Sequence, residues 1–181
     1  MGGYLLGQNY GDGRTQQLSF QPGAGTPGFP ALVAGAAYTC QLMNADWFRL
    51  VSLSFLLTTD ATAGNRYVSV QYLDGQGVPI AEDSAAVLVT PSTTGQRFVG
   101  QLNRGAAEWN TGTDVMFNLS GLWLETGRSV KINVANIGAA DTFAQARFTF
   151  DRTPVAEAGL EPELAREREA RAAYAAHEYG G

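Results

Sequence analysis

Leu50-Val51-Ser52-Leu53-Ser54-Phe55-Leu56-Leu57 and Tyr67-Val68-Ser69-Val70-Gln71-Tyr72-Leu73 stand on either side of Asp60-Ala61-Thr62-Ala63-Gly64-Asn65, and the second run closes at Asp74-Gly75-Gln76-Gly77. In the first run Val51, Leu53, Phe55 and Leu57 share one side; in the second Val68, Val70 and Tyr72 do. A two-residue period of this kind is that of half-buried strands. The Asp-Gly-Gln-Gly stretch offers turn chemistry and lacks the further carboxylates of a calcium loop, so it reads as a hairpin turn.

Working outward, the same alternation recurs in Val115, Phe117 and Leu119, in Val130, Ile132 and Val134, and in Ala146, Phe148 and Phe150. The intervening positions, among them Asn118, Ser129, Lys131, Asn133, Gln145 and Arg147, form a wet face. Strands are expected at 36–43, 47–58, 66–73, 78–81, 85–90, 96–102, 113–119, 129–135 and 143–150. The fold class that follows is all-β, an antiparallel β-sandwich or jelly roll over residues 35–150.

Two different ends flank this domain. Residues 1–34 contain eight glycines and Pro22, Pro27 and Pro30, a density that opposes helix and regular sheet, so an extended arm is expected. Its Tyr4, Leu5, Leu6, Tyr10, Leu18, Phe20 and Phe29 carry more apolar mass than a solvated linker needs. The arm is therefore expected to lie on a surface, that of its own domain or of a neighbouring subunit. From Asp151 the composition shifts to Ala, Glu and Arg, and Pro162 suits a first helical turn, so a linker and a C-terminal helix spanning Leu160–Ala176 are expected. Its apolar side, drawn from Leu160, Leu164, Ala172, Ala175 and Tyr179, is thin, so the helix would rely on a partner surface or project from the domain. Candidate partner-binding residues are thus Tyr4, Leu5, Leu6, Tyr10, Phe20, Phe29, Leu160, Leu164 and Tyr174.

The chain of 181 residues has a formal net charge of −5, of which −2 falls in residues 1–150 and −3 in 151–181. That sign argues against nucleic acid, whose binding draws on cationic side chains that displace counterions. No run approaches the ~20 apolar residues of a membrane-spanning helix, and no secretory signal is visible at Met1-Gly2-Gly3-Tyr4. Cys40 is the only cysteine and reads as a small buried strand residue.

Catalytic chemistry is poorly supplied. The only imidazole, His177, lies in the tail, leaving no base beside a nucleophile, and one Cys with one His cannot form a zinc site. Glu82, Asp83, Glu108, Asp114 and Glu125 are nominal acids with no spacing that selects a glycosidase pair. No enzyme activity, cofactor or metal is expected. Trp109 with Asn110, in Glu108-Trp109-Asn110-Thr111-Gly112-Thr113, is a possible glycan platform in which an indole stacks on a sugar ring. Trp47 and Trp123 fit core or interface positions better.

The segment Leu50 to Arg66, followed by Val68 to Leu73 and Asp74-Gly75, resembles small structural proteins of tailed bacteriophage particles. Leu122-Trp123-Leu124-Glu125-Thr126-Gly127 leading into Val130-Lys131-Ile132-Asn133-Val134 resembles their closing strands. The likeness covers residues 47–150 and consists of strands and turns rather than a site. It implies a jelly-roll-like virion component, a capsid decoration or auxiliary protein or else a neck or tail protein. Such a chain would form homo-oligomers and bind other virion proteins, with no nucleic acid or membrane partner. A carbohydrate-binding β-sandwich using Trp109 is the alternative from another class.

Overall fold

Alternation tells each strand which face to bury, and the computed structural model shows two sheets whose apolar faces supply one shared core. It describes residues 8–9, 16–25, 27–41, 46–102 and 114–154. The strands are β1 (Gln8–Asn9), β2 (Gln16–Phe20), β3 (Tyr38–Gln41), β4 (Asp46–Thr58), β5 (Arg66–Leu73), β6 (Pro79–Val89), β7 (Gln96–Leu102), β8 (Asp114–Leu119), β9 (Trp123–Leu124), β10 (Ser129–Ala135) and β11 (Thr142–Pro154). The larger sheet has the order β1-β2-β11-β4-β7-β8, with β9 also on β4; the smaller has the order β3-β10-β5-β6. The all-β sandwich class is what the sequence predicts.

Four details differ from the sequence reading. Within the stretch expected to be an irregular arm, Gln16–Phe20 is a strand in register with Phe148–Arg152 of β11. Its own Leu18 and Phe20 alternate with Gln17 and Ser19, a short period-two signal obscured by the surrounding glycines. The two strands expected at 78–81 and 85–90 are one continuous β6, because Glu82, Asp83 and Ser84 also pair with β5. β7 and β8 run parallel rather than antiparallel, since alternation specifies a face and carries no information on direction. In β4 a register shift opposite Thr149 and Phe150 changes the phase, so that Leu50 is buried and Val51 only half-buried. The expected C-terminal helix lies outside the described residues.

Aromatic packing fills the core in two groups. Phe20 and Phe29 stack at 4.4 Å, Phe29 sets its edge toward Phe148 and Phe150, and Tyr38 stacks on Phe148 at 5.3 Å. Phe55, Phe98 and Phe143 form the second group, with Phe55 and Phe98 stacked at 5.1 Å. Room for the ring of Phe117 exists because Gly100 faces it on the parallel neighbour: a Cβ there would come within 2.9 Å of that ring. Cys40 is fully buried, and burial pushes its thiol up to about 12.

A fully buried ion pair, Arg66 with Asp141, belongs to this interior. Arg66 opens β5 in phase with Val68, Val70 and Tyr72, so the strand points its guanidinium inward, and it is fully buried. All five of its N–H groups find acceptors. Nε and one N–H of Nη2 donate to the two oxygens of Asp141 at 2.8 and 2.9 Å. The other N–H of Nη2 donates to Asp60 at 2.6 Å, and Nη1 donates to the carbonyls of Thr62 and Gly64 at 2.7 and 2.6 Å. Asp141 also accepts from the backbone N–H groups of Asp60 and Gly138, and Asp60 from those of Thr62 and Ala140. The cluster therefore ties the β4–β5 loop to the β10–β11 loop. Gly138 is required for the approach, because a Cβ there would collide with the Asp60 carboxylate.

The carboxylates are held ionised. The Ala140 and Thr62 N–H groups, with Arg66 beside them, lower Asp60 to about 2. For Asp141, burial pushes upward, but the Arg66 hydrogen bonds and the N–H groups of Gly138 and Asp60 outweigh it and the net direction is down. A carboxylate depressed on folding contributes stability that is complete above its unfolded value and is lost as pH falls toward its folded one. Thermal melts should thus give a constant Tm above about pH 5 and a declining one from about pH 4 to 2. Asp60→Asn should flatten that decline. Asp141→Ala, which strands the buried guanidinium, should lower Tm at neutral pH by on the order of 10 °C; a change of only a degree or two would show that the cluster is not a fastening.

Tyr38 presents the opposite case, a buried hydroxyl with no hydrogen-bond partner among the described residues. Deleting an orphaned polar atom removes a desolvation cost of about 1 kcal/mol or more while the ring stack is kept. Chemical denaturation of Tyr38→Phe should give stability equal to or above that of the parent; a loss beyond about 1 kcal/mol would mean that the hydroxyl has a partner.

Candidate functional site

Two surface features stand out from the polar exterior. The first is a groove of about 530 Å³ on the outer face of the larger sheet, lined by side chains that include Gln21, Leu32, Ser54, Arg97, Gln145 and Arg147. Its floor spans three neighbouring strands: Arg147 of β11 lies opposite Ser54 of β4, and Arg97 of β7 lies opposite Leu56 of β4. The turn after β2 brings Gln21 to one wall.

The groove owes its shape to an irregularity. Between Ala144 and Arg147 the β11–β4 register shifts, leaving Gln145 and Ala146 without direct partners on β4. Ala146 turns into the core, while Gln145 adopts a φ of 50° and is exposed. A left-handed glutamine inside a strand is a strained position, and bulges of this type re-aim side chains. Here the bulge leaves the consecutive Ala144 and Gln145 both exposed, and Gln145 lies with Arg147 on the outer face.

The groove is locally cationic on a chain of net charge −5. Arg147 has no acid partner among the described residues, and Arg97 approaches Asp114 only at 3.9 Å with both groups exposed, an ion pair of little strength. By contrast, Arg49 is engaged: it pairs with Asp151 at 2.5 Å and lies over the Trp123 ring at 4.9 Å.

The second feature is the free edge of the smaller sheet. Among the described residues β6 pairs only with β5, and Ile80 and Leu88 on it, with Val78 just before it, are 45%, 53% and 55% exposed. Asp83 on the same strand is structural, accepting from the Tyr72 hydroxyl at 2.7 Å and the Ser120 N–H at 2.8 Å.

Of the partner-binding residues expected from sequence, the structure describes Phe20 and Phe29, and both pack on the core of their own domain. Tyr4, Leu5, Leu6, Tyr10, Leu160, Leu164 and Tyr174 lie outside the described residues, as do Trp109, Asn110, Glu108 and His177. Arg97 was not marked as a site residue by the sequence, and Gln145 and Arg147 only as part of a wet face. The one-residue bulge in β11 leaves no compositional trace, and neither does the pairing of β11 and β7 on either side of β4 that brings Arg147 and Arg97 to one groove. Among the described residues no group of three or more His, Cys, Asp or Glu side chains converges as a metal site, and no helix is long and apolar enough to cross a membrane. Comparison with protein-family models, with curated proteins and with solved structures finds no match to this chain.

Proposed function

We propose that this chain is a non-enzymatic structural component of a bacteriophage virion, a capsid decoration or auxiliary protein with a jelly-roll-like sandwich body that docks on other virion proteins and on copies of itself. The observation that carries an assembly role is the β6 edge. An open strand edge is a template for pairing, and folded proteins ordinarily blunt it with charge or cover it. Here Val78, Ile80 and Leu88 leave apolar side chains along that edge, a composition that suits a surface covered in an assembly. The likeness of residues 47–150 to small tailed-phage proteins supplies the setting, and the acidic balance of the chain fits protein rather than nucleic-acid neighbours. A neck or tail position uses the same docking chemistry and differs only in location.

Gold-labelled antibody on phage-like particles from the source lysate separates these positions. Label spread over heads is the expected result, label at a single vertex moves the protein to the neck or tail, and unlabelled particles overturn the virion assignment. The double variant Ile80→Lys with Leu88→Lys should keep the parent Tm within a few degrees, since both side chains are solvent-exposed, yet fail to load onto particles that lack the protein.

A further inference from the structure

We propose that the groove on the outer face of the larger sheet is a binding site for an acidic oligosaccharide, with Arg97 and Arg147 taking carboxylates and Gln145, Gln21 and Ser54 taking hydroxyls. Three observations lead there. First, the volume of about 530 Å³ lies in the range of sites for small organic ligands and far exceeds the space of a single inorganic anion. Secondly, the two guanidiniums lie on strands separated by β4 and two residues apart in register, since Arg147 faces Ser54 and Arg97 faces Leu56. With strands ~4.8 Å apart and ~3.3 Å per residue, their Cα atoms are roughly 11 to 12 Å from each other, which matches acidic groups on different sugar rings better than one bidentate carboxylate. Planar guanidiniums and amides are the side chains that give paired hydrogen bonds to carboxylates and vicinal hydroxyls.

Thirdly, the floor excludes the main competing occupant. Along the floor β4 is paired with β11 and β7, and β7 with β4 and β8, so the backbone N–H and C=O groups of these two strands are committed within the sheet. An extended peptide gains affinity by adding to a free strand edge, and this face presents side chains only. Nucleic acid is disfavoured by the net charge of −5. Leu32 adds a partly buried apolar contact for the face of a sugar ring. The strained Gln145 fits the same picture, because a left-handed non-glycine residue costs stability and here its conformation presents an amide to the groove. The site is independent of the β6 edge and of any role in assembly.

Titration calorimetry of the full chain tests this with a galacturonic acid trimer and 3′-sialyllactose, using maltotriose as the neutral control and a Glu-rich hexapeptide as the non-sugar acid. The expected result is binding of at least one acidic sugar that weakens with salt, is lost for maltotriose, and falls roughly tenfold or more in Arg147→Gln and in Arg97→Gln. Gln145→Gly should raise Tm, because glycine accepts this φ without strain, while weakening the sugar. Ile80→Lys should leave binding unchanged. Absence of heat with both acidic sugars at millimolar concentration overturns the proposal. So does binding that persists in both arginine variants, or hexapeptide binding as tight as that of the sugar. Tm values of the variants separate loss of the site from loss of the fold.

Discussion

A fully buried guanidinium with each of its five N–H groups matched to an acceptor organises one end of this sandwich. Arg66 cannot shed its charge, so the fold must provide the oxygens, and it draws them from two loops far apart in sequence. The geometry is over-determined in a useful sense: Asp141 is fixed by Gly138 and Asp60 N–H groups before Arg66 is counted, and Asp60 by those of Ala140 and Thr62. The entropy cost of ordering these loops is offset by the hydrogen bonds that join the guanidinium, the two carboxylates and the backbone groups of Asp60, Thr62, Gly64, Gly138 and Ala140. The neighbouring strands inherit their register from that end, since β5 begins at Arg66 and β11 begins one residue after Asp141.

At the flank formed by β2 and β3 the same job is done by rings. Phe29, from the Gly/Pro-rich stretch, lies between Phe20 and the pair Phe148 and Phe150, and the Gln41 N–H donates to the Gly28 carbonyl at 3.0 Å. The stretch beyond β2 thus contributes to the interior and also covers part of the β3 edge. β6 is met instead by the end of β8, where the Ser120 N–H donates to Asp83 at 2.8 Å, while Ile80 and Leu88 stay exposed, and the two edges of the smaller sheet are therefore chemically unlike.

How far the sequence announced this can be judged residue by residue. Val68, Val70 and Tyr72, or Val130, Ile132 and Val134, announce their burial because strand period and burial period coincide when no residue is inserted. Val51 and Leu50 exchange roles, and Gln145 takes a left-handed φ next to an equally exposed Ala144, at register shifts that depend on the opposing strand, information that no single segment contains. The parallel pairing of β7 with β8 is of the same kind. Arg66 occupied a legible inward phase, yet its partners Asp60 and Asp141 lie 6 and 75 residues from it, and only the folded chain brings all three together. The groove was illegible for the same reason: its two arginines belong to strands that are not consecutive.

The order of strands has a bearing on when the protein can exist at all. β3 and β10 pair in the smaller sheet while the strands that follow them, β4 and β11, pair in the larger. Both β10 and β11 are interior strands, each bonded on two sides. A chain emerging from the ribosome therefore cannot complete either sheet until its last strand is free, and any nascent intermediate holds β4 and β5 with one side unsatisfied. Because such closure is dominated by contacts distant in sequence, folding is expected to be slow for a domain of this size and to lean on protection from self-association until the closing strands emerge.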